Sequence, residues 1–168
     1  MIIATNGRTV VKTPHSQKLD AIDRRILRAL VEDGRISTLD LAEKVGLSAT
    51  PCSRRVRQLE EAGVIEGYTA KVSPAALGLH LCVVVSVRLA RQGPDGHDQF
   101  LKAIKDRPEI AECLLVTGSS DYLLRIWVEN IDSLSELITN SLQGISSVAE
   151  TSTMIVLKRT DTSLSGLC

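Results

Sequence analysis

The chain has 168 residues, 43% apolar and 24% charged, with twenty Lys and Arg against twenty Asp and Glu and so no formal net charge. That length holds one compact domain or two small ones. The charge balance excludes a polybasic nucleic-acid coat, an acidic tail protein and a basic membrane-surface peptide, and aromatic residues at 2% count against any mechanism built on many stacked bases.

Residues 1–18 carry no periodic pattern and read as a flexible arm. They lack the apolar core of about 7–15 residues that a signal peptide needs, and no apolar run reaches the roughly 18 residues of a membrane span. Cys52, Cys82, Cys113 and Cys168 form no closely spaced pair, which excludes zinc-knuckle spacing and fits a reducing cytoplasm. The first three sit among apolar or helix-forming neighbours and read as small buried hydrophobes.

From Leu19 to Glu66 the apolar residues recur at three and four. A first helix is expected from about Leu19 to Asp33. Ile22, Ile26, Leu27, Leu30 and Val31 make its apolar stripe, Arg24, Arg25 and Arg28 face out, and Gly34 serves as a left-handed C-cap. A second helix opens on Ser37 with Asp40 three residues on. It carries Leu39, Leu41, Ala42 and Val45 as apolar members and ends at Gly46. A third has Ser48 as N-cap, runs from Ala49 to Ala62, tolerates Pro51 in its first turn and stops at Gly63.

Only Gly46-Leu47-Ser48 separates the second helix from the third. A short glycine-containing turn between helices of this size is the helix-turn-helix arrangement. On the third helix Cys52, Val56 and Leu59 face inward at spacings of four and three. Thr50, Ser53, Arg54, Arg57 and Gln58 are then outward, with Arg55 on the flank and Ser48 and Pro51 at the helix mouth. Three arginines within four positions, with no acid until Glu60, suit a major groove. Arginine reaches guanine O6 and N7 or a phosphate, and the hydroxyls reach bases or backbone. Val64 to Val72 reads as an extended wing or tether, within a linker strand expected over residues 67–79.

The second half changes rhythm. Residues 1–67 carry 11 Lys and Arg against 9 Asp and Glu, and residues 68–168 carry 9 against 11. Leu81 to Leu89 is a β-branched strand, and Gly93 to Gly96 a loop. Asp98 to Lys105 is a helix burying Phe100, Leu101 and Ile104, broken at Pro108. Ile110 to Thr117 and Tyr122 to Glu129 are strands joined through Gly118-Ser119-Ser120-Asp121. Asp132 to Leu142 is a helix with Leu134, Leu137, Ile138, Ser141 and Leu142 on one face, and Ser147 to Lys158 a last strand. Residues 161–168 read as a tail. The order βαββαβ is the ferredoxin-like plan, so the chain as a whole is α+β. The first and third strands carry apolar side chains at both parities, including Cys82, Val84, Leu123 and Trp127. A sheet apolar on both sides needs cover on both sides, and a second copy is the economical cover.

Gly118 to Asp121 admits two readings. A glycine turn exposes backbone N–H groups that can hold an α-carboxylate, and Asp121 can hold an α-ammonium. Leu115, Met154 and Val156 could supply an apolar wall, with Thr117 and Tyr122 flanking the turn. Taken alone, the same four residues read rather as a plain β-turn, since Gly, Ser and Asp are common turn residues.

A long ordered series of residues resembles the leucine-responsive/asparagine-responsive (Lrp/AsnC, feast/famine) regulators, near their leucine-responsive branch. It comprises Leu19-Asp20-x-x-Asp23-x-x-Ile26-Leu27, Asp33-Gly34-Arg35-Ile36-Ser37, Leu41-Ala42-x-x-Val45-Gly46-Leu47-Ser48-x-Thr50-Pro51-Cys52, Arg54-x-Val56-x-x-Leu59-Glu60-x-x-Gly63-Val64-Ile65 and Gly67-Tyr68, then Val116-Thr117-Gly118-x-x-Asp121-Tyr122-Leu123-Leu124. The resemblance covers roughly residues 19–160. It implies a winged helix-turn-helix over 19–66 whose third helix reads double-stranded DNA. It also implies a regulatory (RAM) domain over 80–160 that pairs through its sheet into homodimers, assembles further into octamers and binds a small amino acid near Gly118 and Asp121. Control of amino-acid metabolism genes, such as those for branched-chain amino acids or proline, is the family-level expectation. Ser119-Ser120 stands where many relatives carry an acidic or aromatic residue, a departure that bears on the effector's identity.

Two other readings are disfavoured by the residues. An RNA-binding module using the ferredoxin-like sheet needs aromatics displayed together, but Tyr122 and Trp127, five apart, fall on opposite faces and the first strand has none. An enzyme needs a constellation that is missing. His15, His80 and His97 are scattered without metal-ligand spacing, Ser119-Ser120 lacks a nucleophile-elbow context, and there is no glycine-rich phosphate loop. No cofactor or metal is expected.

Overall fold

The structure, a computed structural model, describes residues 18–90 and 93–160 together with a two-residue ladder of β1 (Ala4–Thr5) against β2 (Arg8–Thr9). The arm expected over residues 1–18 otherwise lies outside the described residues, as does the tail expected over 161–168. The chain divides into two compact units at the Lys71–Val72 junction.

The first unit is three helices. α1 (Ala21–Glu32) opens on a reciprocal cap. Asp20 Oδ1 accepts the N–H groups of Ile22 and Asp23, and Asp23 Oδ2 accepts that of Asp20, satisfying donors the helix cannot. Its end differs from the glycine cap expected. Asp33 is an extended C-cap whose N–H reaches Ala29 and whose carboxylate accepts the Arg35 N–H at 2.8 Å. That aspartate turn does the work a left-handed Gly34 would have done.

α2 (Thr38–Val45) is capped by Ser37 and ends on Gly46 at φ 73°, where the N–H groups of Gly46 and Leu47 turn back onto Glu43 and Ala42. Leu39, expected in the core, is 72% exposed, because it lies over a quarter turn off the Leu41–Ala42–Val45 stripe. α3 (Ala49–Glu61) ends as expected at Gly63, which has φ 69°. Ile26, Ala29, Leu41, Ala42, Val45, Cys52 and Leu59 form the shared core. No strand ladder forms over 67–79. That stretch is coil to Ser73 and one 3-10 turn at Pro74–Leu77, since Pro74 has no N–H to give a ladder.

The second unit has the order β3 (Leu81–Leu89), α4 (Pro94–Ile104), β4 (Ile110–Leu115), β5 (Tyr122–Val128), α5 (Ile131–Glu136) and β6 (Val148–Ile155). The strands form one antiparallel sheet in the order β4-β5-β3-β6, which is the ferredoxin-like plan. α4 begins four residues before the expected Asp98. Gly93 is its N-cap and Pro94 its first residue, so the residues read as a loop are a proline-started first turn. Leu101, expected buried, is exposed on its outer side. α5 continues as a π-helical turn over Leu137–Leu142.

Both helices cover one face of the sheet. Val83, Val85, Val87, Tyr122, Leu124 and Ile126 point to that side and pack with Phe100, Ile104, Leu134, Leu137 and Leu142. The opposite, outer face carries Cys82, Val84, Leu123 and Trp127, joined by Met154 and Leu114 from the edge strands, with Arg125 and its partner Glu112 in their midst. One end of it is polar, where Ser86 and Arg88 stand beside Ser152 and Glu150. The sheet is therefore apolar on both faces over only part of its length.

Candidate DNA interface and effector turn

In α3 the N-cap sets the chemistry. Ser48 has the extended backbone of an N-cap but its side chain makes no cap hydrogen bond. The third helical residue, whose N–H a capping serine takes up, is Pro51 and has none. The Ser48 hydroxyl is thus left uncommitted at the positive end of the helix. Thr50, Ser53, Arg54, Arg57 and Gln58 are all exposed. Thr50, Ser53, Arg54 and Arg57 line a shallow concavity with Ala49 and with Thr38 from the start of α2. Thr38 opens α2, at the end away from the glycine turn, and nothing in its position along the chain signalled it as a site residue. Arg57 donates to Glu61 at 2.8 Å, one turn on, with both side chains largely exposed. Such a pair is weak and easily exchanged for a phosphate.

Arg55 is a correction. Expected on the flank of the DNA-facing surface, it is turned inward at 29% side-chain exposure. Its Nη1 donates to Asp20 at 2.7 Å and to Asp23 at 2.8 Å. These are the two carboxylates of the α1 cap, so Arg55 fastens α3 to the start of α1. Hydrogen bonds to Asp23 and then Asp20 hold the guanidinium's proton more firmly than usual. The Asp23 N–H, with Arg55 beside it, holds the Asp20 carboxyl below the ordinary carboxylate range.

In the second unit the turn after β4 passes through Gly118 at φ 121°, a backbone conformation open to glycine. Ser119 and Ser120 line a polar pocket with Ser86, Arg88, Glu150 and Ser152, and Arg88 donates to Glu150 across the strands. Those last four were missed. The signal was Ser86 and Arg88 breaking an otherwise apolar strand at alternate positions.

Asp121 is tied into the fold. Its Oδ2 accepts the Leu89 N–H at 2.7 Å, at the register shift between Arg88 and Leu89. Its own N–H reaches Val87, and its carbonyl accepts from Val116. Tyr122 does not flank the pocket. It is 3% exposed on the helix side, with its hydroxyl 2.9 Å from His97 Nδ1 and its ring against Phe100, and burial pushes the phenol up. Leu115 pairs with Tyr122 on the edge strand β4, whereas Met154 and Val156 belong to the opposite edge. Within one chain these three form no common wall. Thr117 is exposed beside the turn.

Residues 19–66 match the family model described as winged helix-turn-helix DNA-binding, and residues 82–164 the one described as the Lrp/AsnC ligand binding domain. The leucine-responsive regulatory protein of Escherichia coli K12 is 44% identical over 140 residues, which are 83% of this chain and 85% of the relative. The chain belongs to the Lrp/AsnC family. Among solved structures, a transcriptional regulator of Neisseria meningitidis in complex with L-methionine superposes with a TM-score of 0.83 at 33% identity, covering 88% of this chain and 95% of that one. Escherichia coli AsnC superposes with a TM-score of 0.77 at 28% identity, covering 86% and 95%. This Lrp/AsnC protein is thus a DNA-binding transcription regulator with an amino-acid-binding domain, and not an enzyme. The RNA-binding alternative is disfavoured by the same relatives, and Tyr122 is under the helices while Trp127 is on the open face. Among the described residues no helix is long and apolar enough to cross a membrane.

Proposed function

We propose that this regulator works in the cytoplasm as a homodimer built through its sheets, the unit of a higher assembly such as an octamer. It reads two DNA half-sites about one helical turn apart with the two copies of α3. The observation that carries this reading is the division of labour on α3. Ser48, Thr50, Ser53, Arg54, Arg57 and Gln58 stay open to solvent, while Arg55 is held by Asp20 and Asp23. Mobility-shift titration against fragments of its own promoter region, with sedimentation velocity of the free protein, tests it. A monomer indifferent to duplex DNA would end the proposal.

Ser48 gives a sharper check. Replacing a bonded N-cap serine by alanine costs about 1 kcal/mol. Here Ser48→Ala should leave the melting temperature within error and still weaken DNA binding several-fold. A loss of stability with DNA affinity per folded molecule unchanged would make Ser48 a plain cap.

The effector in this reading is a small amino acid held near Gly118–Asp121, which biases one assembly over another and so alters occupancy of neighbouring half-sites. Leucine-responsive relatives and the methionine-bound Neisseria regulator support an amino acid as the class and amino-acid metabolism genes as the targets. The pocket beside the turn is lined by serines, Arg88 and Glu150 without an apolar side chain, which favours a small polar amino acid over leucine. Screening the twenty amino acids by thermal shift decides, because a true effector stabilises by mass action. Stabilisation by leucine alone would refute the polar preference.

A further inference from the structure

We propose that Arg125, Glu112 and Glu109 form a charge code by which this chain selects a second copy of itself. The inference rests on the sheet-to-sheet dimer proposed above and names the groups that decide which sheet is accepted. Arg125 stands in the middle of the outer face. It is opposite Val84 on β3 and Glu112 on β4, with Leu123 and Trp127 two positions away on its own strand. Its ion pair with Glu112 is 3.4 Å long, with the two side chains 41% and 42% exposed, and its Nε is buried without an acceptor. Glu109 stands opposite Trp127, whose N–H donates to its carbonyl at 2.8 Å. Glu109 is the turn residue just before β4 begins, and its Oε2 is buried without a donor.

Arg125 Nε and Glu109 Oε2 are therefore buried without partners, and Glu112 is engaged only through one long contact. An uncharged apolar cover would strip the remaining water from Arg125 and leave it one long contact, and an underpaired buried charge opposes docking. A second copy brings both signs in the same patch. In a two-fold interface each Arg125 can meet the other chain's carboxylates, with the same exchange repeated by symmetry. A related sheet with neutral residues at these positions offers no such acceptor and is rejected. The triad thus sets specificity more than affinity.

The full chain is made in two tagged forms, one with Arg125→Glu and the other with Glu109→Lys and Glu112→Lys, and species are counted by native mass spectrometry and sedimentation. Wild type should be dimeric. Each variant alone should dissociate about tenfold more readily or worse, and the equimolar mixture should recover wild-type association, almost wholly as heterodimer. That recovery also shows that both chains fold. A neutral variant, Arg125→Met with Glu112→Gln and Glu109→Gln, should homodimerise at least as tightly as wild type while losing the discrimination between partners. Variants that homodimerise like wild type and mix statistically overturn the proposal. So do folded variants that fail to recover on mixing, and a neutral variant that falls apart. A monomeric wild type instead overturns the underlying dimer reading.

Discussion

Arg54→Ala is expected to weaken binding of duplex DNA by roughly ten- to a hundredfold at fixed salt, about 1–3 kcal/mol, with the melting temperature unchanged. Arg54 is exposed on α3 and lines the concavity formed with Thr38, Thr50 and Ser53, so nothing in the fold depends on its charge. If its partner is a phosphate, the slope of log affinity against log salt should also fall by about one. Its neighbour behaves oppositely. Arg55→Ala leaves Asp20 and Asp23 side by side at the head of α1 without their shared cation. The melting temperature should drop by several degrees, while the salt slope of the remaining binding stays at the wild-type value. Acid should act on the same clamp. Because the Asp20 carboxyl is held low in the folded chain, its contribution is fully present above the unfolded value. It is lost only as the pH falls through the folded one, below about pH 4. Wild type should therefore lose stability there more steeply than the Arg55→Ala protein. A mobility-shift titration in which Arg54→Ala binds like wild type, or in which Arg55→Ala alone lowers the slope, would reverse the two assignments.

Much of this was legible in the residues, for local reasons. The three-four spacing from Ile22 to Leu59 and the glycines at 46 and 63 fixed α2, the turn and α3, since each is a short-range preference. The β-branched and apolar runs from Leu81 to Leu89 and from Tyr122 to Val128 marked the sheet's two central strands. What failed depended on partners distant in the chain. Arg55 has an outward flank position by spacing, yet its two acceptors lie 32 and 35 residues earlier. Tyr122 sits next to the turn in sequence, but β alternation carries its ring beneath α4, against Phe100 and His97. Leu115 and Met154 share the residue type of one apolar wall, but the strand order β4-β5-β3-β6 puts them at opposite edges. Arg88 and Glu150 became visible as a pair only through the β3–β6 register. Pro51 could have revealed the free Ser48 hydroxyl from sequence alone, since a proline at the third helical position removes the donor a cap would use.

Asp121 separates structure from recognition in the effector turn. Removing its carboxylate leaves the part-buried Leu89 N–H without an acceptor at the β3 register shift, and such a group costs about 1–3 kcal/mol. Asp121→Ala should thus melt several degrees low and lose any amino-acid response, a result that alone cannot distinguish a broken turn from a lost ligand contact. Asp121→Asn can. Its amide oxygen still accepts from Leu89, so most of the stability should return, but its negative charge is gone. If the carboxylate's other oxygen holds an α-ammonium, the asparagine variant should fold and bind DNA like wild type. It should also fail to be stabilised by an amino acid that, at a hundred times its dissociation constant, adds about 2.7 kcal/mol to wild type. Thermal melts of the three proteins with and without the amino acid give the answer. An asparagine variant that responds like wild type would leave Asp121 as the brace between the turn and β3, with recognition carried by Arg88, Glu150 and the serines around them.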